Sequence, residues 1–377
     1  MKRFIYVGFI LFLIVACNQS KKEFGDIIDI DPFFKTNKEL QLSEIAHNVS
    51  YVRLETNPQS IIGRVRKIVL FEEMFFIQDR STNSVLIFDA SGIYISKIEQ
   101  RGRGPGEFLQ ISDFTVLPVD STIFIVDNLQ RKVLKYDLAG IFLKEIRLQA
   151  TATKISSLND SLVAVQFNFP NFIDNDKYSI TIFDRELLQQ KKIISQDINV
   201  SESDDFSGHN MNFFAHVNDT LTFWEFKNDI IYKIINPDTI MQKYYIQYSH
   251  KIAQTDQRNF FAVAPNKNEL IRFIETDYFM FFSGTTFGDD FRIVYFKDSG
   301  TGYNIFRGED LDKLINDWDY GPDFFPDGVF SNGQVYQTFS MLEFLEDRRS
   351  SHPLPDALSF ENVSMEDNPI IMLVTLK

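Results

Sequence analysis

Runs of four to seven apolar or aromatic residues, broken by short polar turns, recur along nearly the whole chain. Their shortness, and the Gly, Pro, Asp and Asn between them, predict β-strands rather than helices. One stretch fixes the spacing. Phe75 to Ile98 (FFIQDRSTNSVLIFDASGIYISKI) aligns without a gap with Ile123 to Ile146 (IFIVDNLQRKVLKYDLAGIFLKEI), 48 residues later, at nine identities. Among these are Asp79/Asp127, Asp89/Asp137 and Gly92/Gly140. A period of this length with several short strands per unit points to a β-propeller blade rather than a helical solenoid.

In the second unit the predicted strands are Phe114–Leu117, Thr122–Val126, Val133–Asp137 and Ile141–Ile146. The turn Asp-x-x-Gly, at Asp89 to Gly92 and Asp137 to Gly140, suits a tight hairpin, with Asp holding the turn and Gly supplying a positive φ. A third unit contains Ile180–Asp184 and Ile193, and a fourth Leu221–Phe226 and Ile230–Ile234. A fifth has Leu270–Ile274, Tyr278–Phe282, Phe291–Phe296 and Tyr303–Phe306. The sixth has Val335–Phe339 and Ile370–Leu376 and lacks an outer strand, for which Val49–Leu54 is the predicted donor. The expected fold is therefore all-β: a six-bladed propeller of four-stranded antiparallel blades, closed by an N-terminal strand so that no edge is left open.

The start of the chain, MKRFIYVGFILFLIVAC, has two basic residues, an apolar run too short to span a bilayer, and a cysteine after a small residue. Ile14-Val15-Ala16-Cys17 resembles the lipobox of bacterial lipoproteins, and Cys17 is the only cysteine, so no disulfide competes for it. The expected division is a signal peptide over 1–16, a lipidated tether over 17–28 and the propeller over 29–377. No acidic run follows Cys17, which favours a periplasm-facing anchor, in the outer membrane, over a surface-exported one. Loss of Lys2 and Arg3 with the signal takes the net charge from −14 to −16, a balance that argues against nucleic acid as a partner. With 39 Phe and 14 Tyr, the chain can bury a large core in one continuous architecture.

Between the first two units lies Arg101-Gly102-Arg103-Gly104-Pro105-Gly106-Glu107-Phe108, which leads into a strand much as the glycine-rich turn of the NHL repeat does. Leu42-Ser43-Glu44-Ile45-Ala46 before Tyr51–Glu55, this GRGPGEF turn, and Asp367-Asn368-Pro369 before the last strand occur in the order seen in the six-bladed β-propeller lipoproteins of Bacteroidetes. The chain resembles that family over roughly 27–377. The resemblance implies the fold, a lipid anchor and an envelope location, and supplies no settled activity.

The glycine-rich turn lies between strands and opens no helix, and Glu107 stands where a phosphate-binding loop would need its last glycine. It is therefore read as a blade-to-blade connection, with Arg101 and Arg103 as candidate grips for a carboxylate or sulfate. The insertion at 316–326 departs from the repeat and carries Trp318, Asp319 and Tyr320, aromatics beside a carboxylate that suit a sugar ring or a partner protein. Burial is expected for its Phe324 and Phe325. Asp317, Asp319 and Asp323 alternate as calcium ligands do, but the glycine and glutamate of an EF-hand loop are missing. The histidines His47, His209, His216, His250 and His352 have no local metal spacing. Pairs such as Asp204-Asp205 and Asp289-Asp290 point to opposite strand faces, and there is no GxSxG elbow. No cofactor is evident, though calcium or zinc is chemically compatible. The expectation is an envelope propeller that binds an unidentified protein or carbohydrate and shows no sign of catalysis. The competing one is a hydrolase or lyase with a divalent metal on the propeller axis.

Overall fold

The computed structural model describes residues 25–173, 176–193, 213–217, 220–224, 229–251, 268–307, 310–311, 313–347 and 364–377. The signal peptide, Cys17, His209, His352 and Asp204-Asp205 lie outside the described residues. Six antiparallel sheets follow one another along the chain. The first blade is Val65–Phe71, Met74–Asp79, Ser84–Asp89 and Tyr94–Ile98, and the second is Ile111–Leu117, Thr122–Asp127, Lys132–Asp137 and Phe142–Arg147. The third comprises Ala152–Ser157, Leu162–Ile173, Asp176–Asp184 and Gln189–Ile193; the fourth Phe213–Val217, Thr220–Trp224, Ile230–Asn236 and Thr239–Gln247. The fifth is Asn268–Glu275, Phe279–Thr286, Asp289–Phe296 and Thr301–Arg307.

The sixth blade is built from both ends of the chain. Its order is Gly328–Val329, Val335–Phe339, Ile370–Leu376 and then Ala46–Arg53, which pairs antiparallel with Ile370–Leu376. The N-terminal closing strand is thus where the repeat deficit placed it. The junction is reinforced by Asn368, which is almost fully buried. Its side chain donates to the carbonyls of Glu55 and Ser60 (both 2.7 Å) and accepts from the Ile62 N–H (2.8 Å). Arg53 pairs with Asp367 at 3.0 Å. The Asp-Asn-Pro motif therefore fastens the last strand to the segment that enters the first blade.

Upstream of the closing strand the chain runs along the outside of the ring. Asp26–Asp29 adds in parallel to Thr239–Gln247, and Asn37–Lys38 adds in parallel to Thr301–Arg307. Pairing thus begins inside the stretch read as tether, and it covers the outer edges of two blades that would otherwise expose unpaired backbone groups.

Among the described residues the core forms six clusters, each shared by two adjacent blades. One combines Phe76, Val85 and Ile87 of the first blade with Phe114, Ile125 and Leu134 of the second. Another joins Tyr336, Ile371 and Leu373 of the sixth to Phe75, Ile77 and Leu86 of the first, so packing runs all the way round. Middle strands are covered on both faces by neighbouring blades. This is why Ile123–Val126 is apolar throughout and buried throughout, whereas the outer strand Phe142–Arg147 is only partly covered.

The repeated polar residues hold the turns. Asp89 Oδ1 accepts from the N–H groups of Ser91 and Ile93 (both 2.9 Å), and Gly92 sits at φ +84°. Asp137 and Gly140 repeat this, and in the third blade Asp184 does the same with Leu187 at φ +58° in the glycine's place. Asp79 binds the N–H groups of Gly63, Arg64, Ser81 and Thr82, tying the entry of the first blade to its own turn. Burial alone would raise its carboxyl, but these hydrogen bonds hold it below the usual range.

Candidate functional site: a charged ring and a cavity on the axis

First strands of successive blades pack on one another around the ring, which makes them the inner strands. In four blades the pairing of the first with the second strand slips by one residue at the same place. The slips lie between Val65 and Lys67, Ile111 and Asp113, Ala152 and Lys154, and Leu270 and Arg272. A bulge of this kind re-aims the side chain that follows it. In each case that residue is charged: Lys67, Asp113, Lys154, Arg272. In the sixth blade Asp327 immediately precedes the short inner strand, its N–H donating to the Tyr336 carbonyl at 2.6 Å.

These groups meet across blades. Lys67 Nζ lies 2.9 Å from Asp113 Oδ1 and also donates to the carbonyls of Phe114 (2.7 Å) and Ile155 (3.3 Å), so one ammonium spans three blades. The other oxygen of Asp113 accepts the Ile155 N–H at 3.0 Å. Arg272 lies 3.8 Å from Asp327, which also accepts from the Thr338 backbone and hydroxyl. Burial would push Asp113 up, but Lys67, Lys154 and the Ile155 N–H hold its carboxyl below the ordinary range. Lys154 goes the other way. Burial first, then the charges of Lys67, Arg66 and Arg272, bring its ammonium down to about 8 against the opposing pull of Asp113.

Next to this ring, toward the ends where the inner strands finish, opens a cavity of about 780 Å³. Its wall takes Lys67 to Phe71 from the first blade, Thr115 and Val116 from the second, Ser156 to Ser161 from the third, Phe214 to His216 from the fourth and Val329 to Ser331 around the sixth. Lys67 belongs to both ring and cavity. Thr115 and Ser156 stand two residues beyond Asp113 and Lys154, hence on the same strand faces and roughly 7 Å further along the axis. His216 Nε2 lies 2.7 Å from the Ser157 carbonyl oxygen, which can only accept, so this nitrogen carries the proton. It therefore cannot serve as a base toward the hydroxyl of Ser157, 3.3 Å away.

The residues singled out in the sequence lie elsewhere. Arg101 and Arg103 are exposed on the connection into the second blade, at the end where inner strands begin, opposite the cavity. The turn between them and Phe108 has its polar groups engaged: Gln130 donates to the carbonyls of Gly102 and Glu107, Tyr136 to that of Gly106 (2.7 Å), and the Gly104 N–H to Glu107 (2.8 Å). The loop at 316–326 lies against the N-terminal segment and the outer strand of the sixth blade. Asp317 accepts from Ser43; Asp319 accepts from Tyr51 (3.0 Å), Asn316 (2.8 Å) and the Gly321 N–H (3.0 Å); Asp323 accepts from the Asn316 N–H (2.8 Å). Asp319 and Asp323 both take hydrogen bonds from Asn316, while Asp317 is held by Ser43. Among the described residues, no group of three or more His, Cys, Asp and Glu is placed to hold a metal ion. Trp318 and Tyr320 remain 43% and 38% exposed, while Phe324 and Phe325 are buried as expected.

The competing expectation set a site on the axis but named none of these charged residues. Their trace in the sequence is charge inside inner strands that end in apolar runs, VRKIVLF and ISDFTVL, with Lys67 and Asp113 46 residues apart, close to the repeat period.

Fold and axis together define a six-bladed propeller with a ligand-sized axial cavity. The chain belongs to the family described as domain of unknown function DUF4934, which it matches over residues 25–375. Among solved structures it is similar to a Bacteroides fragilis protein described as exported, at 18% identity and TM-score 0.71, covering 93% of this chain and 99% of that one. It is also similar to a member of the DUF4221 family from Bacteroides vulgatus, at 12% identity and TM-score 0.53, covering 90% and 99%. No curated protein matches.

Proposed function

We propose that this chain is an envelope propeller that binds a small polar ligand in its axial cavity, held at a membrane by a lipid on Cys17. The cavity carries the reading. At about 780 Å³ it falls in the range of small-molecule sites, and its wall alternates hydroxyls (Thr115, Ser156, Ser157, Ser161) with apolar and aromatic surface (Phe71, Phe214, Phe330). That mixture suits a ligand with several hydrogen-bonding groups, a carbohydrate among them. Binding rather than turnover is favoured because His216, the nearest candidate base to the serines, has its proton committed to a carbonyl. An envelope address is supported by the apolar run ahead of Cys17 and by the description of the Bacteroides fragilis neighbour as exported.

The test is retention. Purified protein is mixed with a small-molecule extract of bacterial envelopes, filtered, and the retained compounds are read by mass spectrometry. A compound held by the wild type and by Trp318→Ala, but lost with Ser157→Trp, which fills the cavity, supports the reading. Retention that survives Ser157→Trp and fails with Trp318→Ala moves the site to the outer loop. For the anchor, Cys17→Ser should shift the protein from the membrane to the soluble fraction; an unchanged distribution contradicts lipidation.

A further inference from the structure

We propose that the axial ring is an oxyanion site, in which Lys154, flanked by Lys67 and Arg272, takes the carboxylate, sulfate or phosphate group of the ligand that the cavity admits. This rests on the axial cavity being the ligand site, and it adds the chemical class of the ligand.

The first support is repetition. Four blades carry a charged residue at the same bulge of the inner strand. Charge there costs desolvation, so its recurrence needs a cause.

The second is the charge balance. Lys67 is spent on Asp113 and two carbonyls, and Arg272 is partnered at longer range by Asp327. The Lys154 side chain has no hydrogen bond or ion pair among the described residues. The charged groups facing it are Arg66 and Lys67 from the first blade, Asp113 from the second and Arg272 from the fifth. Lys67 is paired with Asp113 and Arg272 with Asp327, so these two ion pairs leave the Lys154 ammonium over. Structural ties between blades account for Lys67, Asp113 and Asp327. Among the described residues they leave the Lys154 ammonium without a protein partner, as a group awaiting an anion would be.

The third is contrast with the whole. A chain of net charge −14 repels anions over most of its surface, so an ammonium left over from the ion pairs beside the cavity is a local attractor. The hydroxyls of Thr115 and Ser156, one strand repeat further along, are placed to meet the uncharged remainder of the ligand.

The experiment is calorimetric titration of the full chain with inorganic phosphate and with citrate, which separates a tetrahedral from a carboxylate preference. Expected is binding of at least one probe near pH 7, weaker by about tenfold or more in Lys154→Met and unchanged in an Arg101→Ala/Arg103→Ala double variant. Affinity should fall toward pH 9, as the ammonium loses its proton. If Lys154→Met does not fold, acylation of Lys154 in the wild type near pH 8, slowed by the same probe, gives the same reading. No binding of either probe, or equal binding by Lys154→Met, overturns the proposal. If envelope compounds are still retained in a Ser157→Trp-sensitive manner, only the oxyanion assignment fails and the cavity reading stands.

Discussion

Lys154 is costly where it stands, and the cost has a definite pH signature. Its ammonium titrates near 8 in the folded chain against an ordinary 10.5. Below pH 8 both folded and unfolded chains carry the charge, and the folded state bears the desolvation of its partly buried ammonium. Between about 8 and 10.5 the folded lysine is neutral while the unfolded one still binds a proton, so this residue's contribution to stability rises with pH across that window. Lys154→Met should therefore stabilise the protein near pH 7, by about 1–2 kcal/mol once solvent screening is discounted. Its advantage should fade as pH approaches 10.5. Chemical unfolding at several pH values checks this, and a variant no more stable than wild type at pH 7 would contradict it. A binding group that costs stability is a familiar compromise. Asp113 shows the opposite sign: its depressed carboxyl contributes stability above the unfolded value near 3.9, and that contribution drains away as pH falls below it.

Strands and turns were the most legible part of the sequence, because each depends on a few neighbouring residues. The predicted Val335–Phe339 and Ile370–Leu376 are observed with those bounds, and the second blade differs from expectation by one to three residues at strand ends. The Asp-x-x-Gly turns form with the glycines at positive φ, but the two glycines are not equivalent. A Cβ at Gly92 would lie 2.1 Å from the Arg53 carbonyl oxygen on the closing strand, whereas at Gly140 the nearest contact is an ordinary 3.4 Å. Gly140→Ala should cost about 1–2 kcal/mol for its backbone conformation alone, and Gly92→Ala clearly more. Equal losses in denaturant midpoint would show that the turn of the first blade does not brace the closure. The parallel strands Asp26–Asp29 and Asn37–Lys38 escaped notice because they are short, carry few apolar residues, and join edges formed far along the chain.

At the scale of the whole molecule, the ring closes by the deficit in its own repeat, and the site arises only once the ring is closed. Lys67, Asp113, Lys154 and Arg272 are ordinary charges in their own blades; bulges whose register no sequence pattern displays bring them to one axis. That convergence across blades leaves no local motif at these four residues, unlike GRGPGEF and the Trp318 loop. The first is a well-bonded connection, and the second departs from the repeat where the chain meets its own N-terminal segment. Diffraction from crystals soaked in selenate, a tetrahedral oxyanion that scatters anomalously, tests the axial site most directly. The expected result is an anomalous peak on the axis within hydrogen-bond distance of Lys154 Nζ, absent from Lys154→Met crystals. Peaks confined to the outer loops, at Arg101 and Arg103, with the axis empty, would contradict it.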